Sequence, residues 1–486
     1  MNIKKANFII LLLLLFPNVF AISNNNEITT LTNQKRNISQ KINSREKNTE
    51  EYKNKIIKLN EIRNILISKN EQLKVIRSQI KQSKNILKSK QSSWYPNLEI
   101  NSNEFPKYTT GDIKNKLNED SASNQLKTGL NANIEWDIIN PSRKLEIRIA
   151  EEKLENLNLL YESTLRNLFL EAINIYYAVR ASNQEIKVAE QAIKISLISL
   201  KESENKLIAG IGNKLDVLEA KAQLNRNKIN LLNRQNKLNR NLNSLGEILN
   251  IDEQISIDNN EQIKISKIWD KSLKESLDNA FNKNLEIKIK EKNININSNE
   301  ALSVLSKKKP TFTLYNVYSI SSASGETGVT SPNYNNLIKS NSNNLGIKFN
   351  WNIFDGGNIK QNYLSLNNKN KELKSELNLE KNQLKKDIKN ALNEYKISKE
   401  KIIFSKLQLE ASKEALNISL KRLEAGITTQ REIVNKQGDL IEAETNFINS
   451  IKEYQINLAK LSRLTLMNDH LICEKRKKIH NKKNIE

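Results

Sequence analysis

The fold is decided by the stretch Leu130-Asn-Ala-Asn-Ile-Glu-Trp-Asp-Ile138 and by its counterpart Leu345-Gly-Ile-Lys-Phe-Asn-Trp-Asn-Ile353. In each stretch an apolar side chain at every second position alternates with a small, polar or charged one. A period of two predicts a β-strand with one apolar and one polar face. Each stretch also has the length of a tilted membrane-spanning β-strand, about 9–11 residues.

Each strand has a less regular partner upstream, at Asn97 to about Glu104 and at Thr311 to about Ser319. The stretches between partners, Phe105–Gly129 and Ile320–Asn344, are rich in Ser, Asn, Thr and Gly. We expect them to be long loops on one side of the sheet, an arrangement typical of outer-membrane barrels. Trp94, Tyr95, Trp136 and Trp351 flank the strands, as aromatic rings do at a membrane interface.

Four strands are too few to close a membrane barrel, whose smallest form has about eight. Closure therefore requires other copies of the chain, so that two copies would supply about eight strands and three about twelve. The alternative on strand pattern alone is a soluble β-sandwich in which the apolar faces of two sheets meet.

The chain is an internal duplication. Lys69-Asn-Glu-Gln-Leu73 matches Lys283-Asn-Leu-Glu-Ile287, and Lys206-Leu-Ile-Ala-Gly-Ile211 matches Arg422-Leu-Glu-Ala-Gly-Ile427. The two strand stretches are separated along the chain by almost the same interval as these two pairs of phrases. A nearly constant offset indicates one structural unit used twice. Each half is predicted to contain a helix, a strand, a loop, a strand, a long helix, a Gly break and a helix.

A long helix is predicted after each alternating strand, beginning near Asn140-Pro141 and near Asp355-Gly-Gly357. Asn or Asp suits the N-cap, and Pro141 suits the first helical turn. Apolar residues then recur three and four positions apart in a coiled-coil-like seam. From Pro141 to Leu207 such a helix would be about 100 Å long. Each long helix should stop at Ala-Gly-Ile, where Gly is the C-terminal signal, and a return helix completes a hairpin.

Composition excludes several classes of protein. The net charge of +23 comes from Lys residues scattered along the chain, and residues 1–21 form an expected export signal, so nucleic acid is not an expected partner. A single Cys, Cys473, rules out an intramolecular disulfide. The two His residues lie near the C-terminus and no phosphate loop or metal-ligand cluster occurs, so we expect neither an enzyme nor a cofactor.

The predicted organisation has six parts. They are a signal peptide (1–21), a polar N-terminal extension that is either a helix or a disordered arm (22–60), a first repeat (61–250), an inter-repeat linker that would form an equatorial segment (251–272), a second repeat (273–466) and a basic, disordered tail (467–486).

Residues 61 to 466 resemble the TolC-like outer-membrane efflux protein family. The most specific elements are Trp351-Asn-Ile-Phe-Asp-Gly-Gly357 and the phrases that begin at Ala209-Gly-Ile and Ala425-Gly-Ile. The resemblance implies a mainly α fold with a small β part. In it, a long α-helical barrel continues into a transmembrane β-barrel that three chains assemble, with four strands from each. It also implies a passive conduit of a tripartite efflux or type I secretion system, with a periplasmic adaptor and an inner-membrane pump as partners.

In this family an iris of acidic side chains follows the tip of a helical hairpin. The matching positions here are Glu432 and Asn435 in the second half and Asp216 and Glu219 in the first. Asn435 stands where a second acid is expected, which weakens the expected cation-binding ring. Without the resemblance, these acids are ordinary first-turn residues favoured by the helix dipole.

The resemblance also places Gly210 and Gly426 at the tips that meet the adaptor. The alternative function from another class is a secreted coiled-coil structural or adhesive envelope protein. That alternative accounts for the helices but not for two alternating hairpins at equivalent places in the repeats.

Overall fold

The computed structural model describes residues 55–113, 121–258, 269–326 and 336–466. The predicted signal peptide, most of the polar extension and the basic tail with Cys473 lie outside the described residues. The elements are β1 (Lys55–Ile57), α1 (Ile62–Lys69), α2 (Glu71–Gln91), β2 (Asn97–Ile113), β3 (Ser121–Ile139), α3 (Arg143–Ile208), α4 (Lys214–Leu249), β4 (Ile255–Ile257), α5 (Leu273–Lys283), α6 (Leu285–Ser306), β5 (Thr311–Glu326), β6 (Asn336–Asn350), α7 (Asn358–Glu424) and α8 (Gln430–Thr465).

The main sheet is antiparallel, with the strand order β2-β3-β5-β6. Its centre is the β3–β5 pair, which joins the two halves of the duplication, for example with Trp136 opposite Leu314. The edges are β2 and β6. Register places Leu98, Ile134 and Leu345 on one face, and all three side chains are exposed in the single chain. One face of the sheet therefore carries apolar side chains that are exposed in the single chain.

The strands are longer than predicted. β2 continues to Ile113 and β5 to Glu326, and β3 and β6 begin at Ser121 and Asn336. Strands therefore occupy most of the two stretches that were predicted to be loops, and that prediction is wrong. Ladder hydrogen bonds need only backbone groups, so the Ser- and Asn-rich stretches pair across strands without an apolar alternation. Residues 114–120 and 327–335, at the turns, lie outside the described part of the chain.

The second strand ends earlier than predicted. β6 stops at Asn350, opposite Thr311, and the segment from Trp351 to Ile353 is not in the sheet. The residue before Thr311 is Pro310, which has no N–H to continue the ladder. Trp351 instead donates its indole N–H to the carbonyl of Lys308 at 2.9 Å, as Trp136 does to the carbonyl of Trp94 at 2.9 Å.

Both long helices start a little later than predicted. α3 begins at Arg143, after Pro141 and the N-cap Ser142, and α7 begins at Asn358. The Asp355 carboxylate accepts from the backbone N–H groups of Gly357 at 2.9 Å and Ile359 at 2.7 Å. These hydrogen bonds favour the charged carboxylate, and with them the pKa of Asp355 lies below its usual value.

Each half contains a helix break that the sequence prediction missed. Asn70 separates α1 from α2 and Asn284 separates α5 from α6. Each Asn caps the following helix, accepting from the N–H of Leu73 at 3.1 Å and of Ile287 at 3.0 Å. The matching Lys-Asn phrases found in the duplication are therefore a repeated N-cap.

The helices keep one lateral order. α3 has 66 residues and α7 has 67, so each spans about 100 Å. Next to the sheet the packing order is α2–α3–α6–α7, and toward the tips it is α4–α3–α8–α7. The strand order β2-β3-β5-β6 follows the same sequence. One margin of the chain therefore carries β2, α2 and α4, and the other carries β6 and α7.

The core lies about midway along the long helices, where the helices next to the sheet meet those that lead to the tips. The parallel pair β1–β4 covers an apolar cluster that includes Leu168, Tyr176 and Leu249. Nearby, Arg463 of α8 lies 2.5 Å from the Glu286 carboxylate of α6, and Ser163 of α3 donates to that carboxylate at 2.8 Å. Burial opposes ionisation of Glu286, but Arg463 and Ser163 outweigh it and lower its pKa. These contacts join the two halves.

Candidate functional site

The two long helices end in the same backbone turn at the tips of the hairpins. α3 ends at Ile208 and Gly210 has φ +76°, and α7 ends at Glu424 and Gly426 has φ +73°. In the first tip Gly210 N–H donates to Leu207 at 3.1 Å and Ile211 N–H to Lys206 at 3.0 Å. The second tip repeats both bonds, from Gly426 to Leu423 at 3.1 Å and from Ile427 to Arg422 at 2.8 Å. This is the Schellman motif, formed twice.

The residue two positions after each tip glycine differs between the tips. At Gly212 an added Cβ would lie 2.6 Å from the backbone nitrogen of Leu207 and 2.7 Å from the carbonyl carbon of Lys206. The first tip therefore folds back so closely that only glycine fits there. The second tip has Thr428 at the equivalent position, and a side chain is accommodated.

Glu432, in the first turn of α8, is held by a group of polar side chains. The Thr428 hydroxyl donates to its carboxylate, Ser419 of α7 donates at 3.4 Å, and the guanidinium of Arg422 lies 3.6 Å away. The Thr428 hydrogen bond is the main reason that the pKa of Glu432 lies below its usual value, with Arg422 adding to the effect. The carboxylate therefore ties α8 to α7 across the hairpin.

The other predicted gate residues are placed differently. Asp216 and Glu219 are half-buried on the first two turns of α4, and Asn435 is exposed one turn after Glu432. Among the described residues, no hydrogen bond or ion pair links the two acids of the first tip to Glu432 or Asn435. Within one chain the structure does not bring the four gate residues together.

A contact between the two hairpins lies at the same level. Gln430, the first residue of α8, is buried and donates its amide N–H to the Ser199 hydroxyl of α3. Sequence reasoning missed Gln430, Ser199, Arg422 and Thr428. The first repeat has Lys214 and Gly212 where the second has Gln430 and Thr428, so the duplication carries no signal for these contacts.

Within the described ranges, no group of three or more His, Cys, Asp or Glu side chains could hold a metal ion. None of the helices described there is both long and apolar enough to cross a membrane.

The family model described as outer membrane efflux protein matches residues 62–250 and 280–465, which is more than half of the chain. The chain belongs to this family. The prediction made from the duplicated motifs is confirmed, and so is the predicted fold class. The predicted function as an outer-membrane efflux channel is also confirmed. The secreted coiled-coil alternative is set aside, because the matched family is one of outer-membrane efflux channels.

Solved structures share the fold. A membrane protein from Pseudomonas aeruginosa aligns with a TM-score of 0.70 at 16% identity, over 85% of this chain and 95% of its own. The CmeC outer membrane channel of Campylobacter jejuni aligns with a TM-score of 0.69 at 15% identity, over 84% and 85% of the two chains. The MtrE outer membrane channel of Neisseria gonorrhoeae, in its open state, aligns with a TM-score of 0.65 at 15% identity, over 84% and 88%. A sequence comparison with curated proteins finds no match.

Proposed function

We propose that three copies of this efflux channel join margin to margin into one closed conduit, with the sheets in the outer membrane and the helices in the periplasm. The observation that carries the proposal is the single lateral order, which leaves β2, α2 and α4 at one margin and β6 and α7 at the other. Unpaired edge strands recruit further strands, and closure removes both edges at once.

The two helical margins carry matching apolar seams. On α4 and on α7, exposed apolar residues recur at spacings of three, seven or eleven, which bring them to one face of a helix. The residues are Leu215, Leu218, Ile229 and Leu232 on α4, and Ile397, Phe404, Leu407 and Ile418 on α7. A seam of this kind packs against another helix. Within one chain, α4 packs on α3 and α7 on α8, so the stripes remain for a neighbour.

The seams also match in depth and in charge. Leu232 lies about five helical turns after the start of α4, and Leu407 lies about five turns before the end of α7. At 1.5 Å per residue both are about 26 Å from the tips. Lys228 and Glu410 flank these seams, each about four turns from its own tip-side helix end, and Glu410 also lies 3.8 Å from Lys406 of its own helix. An α4 margin that meets an α7 margin therefore places lysine opposite glutamate.

The experiment is a disulfide crosslink across this interface. In a Cys473→Ser background, the pair Leu232→Cys and Leu407→Cys should form covalent trimers in outer membranes under mild oxidation. The matched control is Leu232→Cys with Ile397→Cys, whose second position lies about 15 Å deeper along α7. Monomers in both variants, or equal crosslinking of both pairs, would refute the arrangement.

The tips are then the periplasmic end of the conduit and the gate. By threefold repetition, Glu432, Asp216, Glu219 and Asn435 would line a constriction, and rings of charged side chains select and gate ions. Gly210 and Gly426 would shape the surface that meets a periplasmic adaptor, which links the channel to an inner-membrane pump. Energy comes from the pump, and the channel conducts passively. The support is the exposure of both tip glycines and the position of the acids in the helical turns that follow them.

Single-channel recording tests the gate. Glu432→Ala and Asp216→Ala should each weaken block by divalent cations from the tip side, because each removes three carboxylates from the assembled ring. Asp439→Ala, two turns further along α8 and paired with Lys436 at 3.0 Å, is the control. Unchanged block in both gate variants would count against this assignment while leaving the trimer intact.

A further inference from the structure

A buried carboxylate sits among an excess of cations about halfway along the first hairpin. The Glu185 side chain of α3 is fully buried. Arg234 of α4 lies 2.7 Å from one of its oxygens, and Lys237 of α4 donates to both oxygens at 2.9 and 3.0 Å. Burial opposes ionisation of Glu185, but Lys237 and Arg234 outweigh it and lower its pKa.

A third cation approaches from the second repeat. Lys452 of α8 is half-buried, and its ammonium group donates to the Asn449 side chain at 2.8 Å. Its pKa is lowered, first by burial and then by the nearby charge of Lys237, while Glu185 and Glu453 partly offset both effects. Lys452 therefore shares the field of Lys237 and Glu185.

The charges of this cluster do not balance. Arg234, Lys237 and Lys452 carry three positive charges, and Glu185 carries one negative charge, which leaves two positive charges. Glu453, which follows Lys452 in the chain and also acts on it, has its carboxylate 3.1 Å from Lys401 of α7, so counting Glu453 and Lys401 together leaves the excess of two positive charges unchanged. A partly buried site with uncompensated positive charge attracts an anion.

In the proposed closed trimer, the cluster would lie on the side of the wall that faces the conduit. In the lateral order α3 stands between α4 and α8, yet α4 and α8 also contact each other. Leu238 and Leu242 of α4 share an apolar cluster with Ile456 and Ala459 of α8, directly beside Lys237 and Lys452. Helices two positions apart in a curved wall come closest on its concave side, which in the closed trimer is the conduit.

We propose that Arg234, Lys237 and Lys452 form an oxyanion-binding site in the wall of the conduit, suited to the carboxylate or phosphate group of an anionic solute. The assignment of the conduit side rests on the proposed trimer. Lysine and arginine supply several N–H donors each, and Lys452 and Lys237 remain partly open to solvent. The tip acids of the proposed gate attract cations, so this site would act on cargo of the opposite charge.

The experiment compares Lys452→Gln with Lys460→Gln. Both substitutions remove one positive charge from α8, but Lys460 is paired one-to-one with Glu394 at 2.8 Å. Inorganic phosphate is the probe, and its binding to detergent-solubilised protein is followed by phosphorus NMR. Lys452→Gln should weaken phosphate binding roughly fivefold, the size expected for losing one unit charge about 4 Å away in water. Lys452→Arg should retain binding, and Lys460→Gln should match the wild type.

Phosphate block of single-channel current then locates the site. Block of the wild type, with a half-blocking concentration roughly fivefold higher in Lys452→Gln, is expected for a site in the conduit. Equal phosphate binding by the two glutamine variants would overturn the site itself. A Lys452-dependent binding signal without block would overturn its position in the conduit. Absence of any channel current in the wild type would refute the proposed function, and the NMR comparison would still decide the site.

Discussion

The two hairpin tips share a backbone but not their side-chain contacts. Both end a long helix with a glycine at positive φ and the same pair of backbone hydrogen bonds. Only the second tip adds Thr428, Ser419 and Arg422 around Glu432, and only there, among the described residues, does a side chain, Gln430, reach the other hairpin. The duplication therefore preserved the turn, while the contacts that hold α8 in place belong to the second repeat.

The difference suggests that the two tips have different roles in the proposed gate. The first tip is fixed by close backbone contact at Gly212 and has no polar clamp around Asp216 within the part of the chain that the structure describes. Around Glu432, the second tip is held by hydrogen bonds and by an ion pair whose side chains are partly exposed, where such interactions are weak and exchangeable. We expect the second hairpin to be the part that moves when the conduit opens.

The largest effect is expected from Gly212→Ala. The new Cβ would meet backbone atoms at 2.6 and 2.7 Å, so the turn must rearrange, at a cost of about 1–3 kcal/mol. Amide hydrogen exchange at Ile211 should accelerate by roughly tenfold or more. Thr429→Ala is the control in the second tip, because Thr429 is exposed and its side chain makes no cap hydrogen bond, and exchange at Ile427 should change far less. Equal acceleration of exchange in both tips would contradict the conclusion that only the first tip requires glycine at this position.

The turn that both tips share, with a glycine at positive φ, is tested by Gly210→Ala and Gly426→Ala. Neither glycine has an atom within 4 Å of an added Cβ, so the cost is purely that of a left-handed backbone, about 1–2 kcal/mol per residue. Hydrogen exchange of the two turns should respond equally. A difference of more than about 1 kcal/mol between the tips would show that something other than the turn conformation stabilises one of them.

A smaller effect is expected from Gln430→Ala. It removes a buried hydrogen bond to Ser199, worth about 0.5–1.5 kcal/mol. The first turn of α8 should become more sensitive to limited proteolysis. Lys214→Ala, at the equivalent exposed position of the first tip, should change stability by less than about 0.5 kcal/mol. If the lysine variant is affected as much, the contact between the hairpins is not what holds α8.

The smallest effect is expected from a change of pH, which acts on the charge of Glu432. Because the folded-state pKa of Glu432 lies below its ordinary value of 4.5, the clamp contributes stability above pH 4.5 and loses it as pH falls through the lowered pKa. Thr428→Val removes the main hydrogen bond, so the loss should begin at higher pH. The ratio of exchange rates at Ile427 and Ile211 in one sample gives the readout. A ratio with the same pH dependence in both proteins would refute the clamp.

The sequence predicted the features that depend on local pattern. The alternation around Trp136 and Trp351 predicted both strands, and the Ala-Gly-Ile phrases predicted both helix stops, because side-chain period and left-handed glycine are local properties. It underestimated β2 and β5, since Ser- and Asn-rich segments pair through their backbones. It also missed the N-caps at Asn70 and Asn284, although an Asn before an apolar helical run is a recognisable signal.

By itself, then, the sequence determined the duplication, the types of the long elements and the family. It missed β1, a strand at the end of the extension for which a helix or a disordered arm was predicted. Only the tertiary structure decided which helices lie side by side, that Glu432 is clamped while Asp216 is not, and that Glu185 of α3 pairs with two cations of α4. Those features depend on contacts between residues that lie far apart along the chain, as Glu185 and Arg234 do, and neither period nor propensity carries information about such distances.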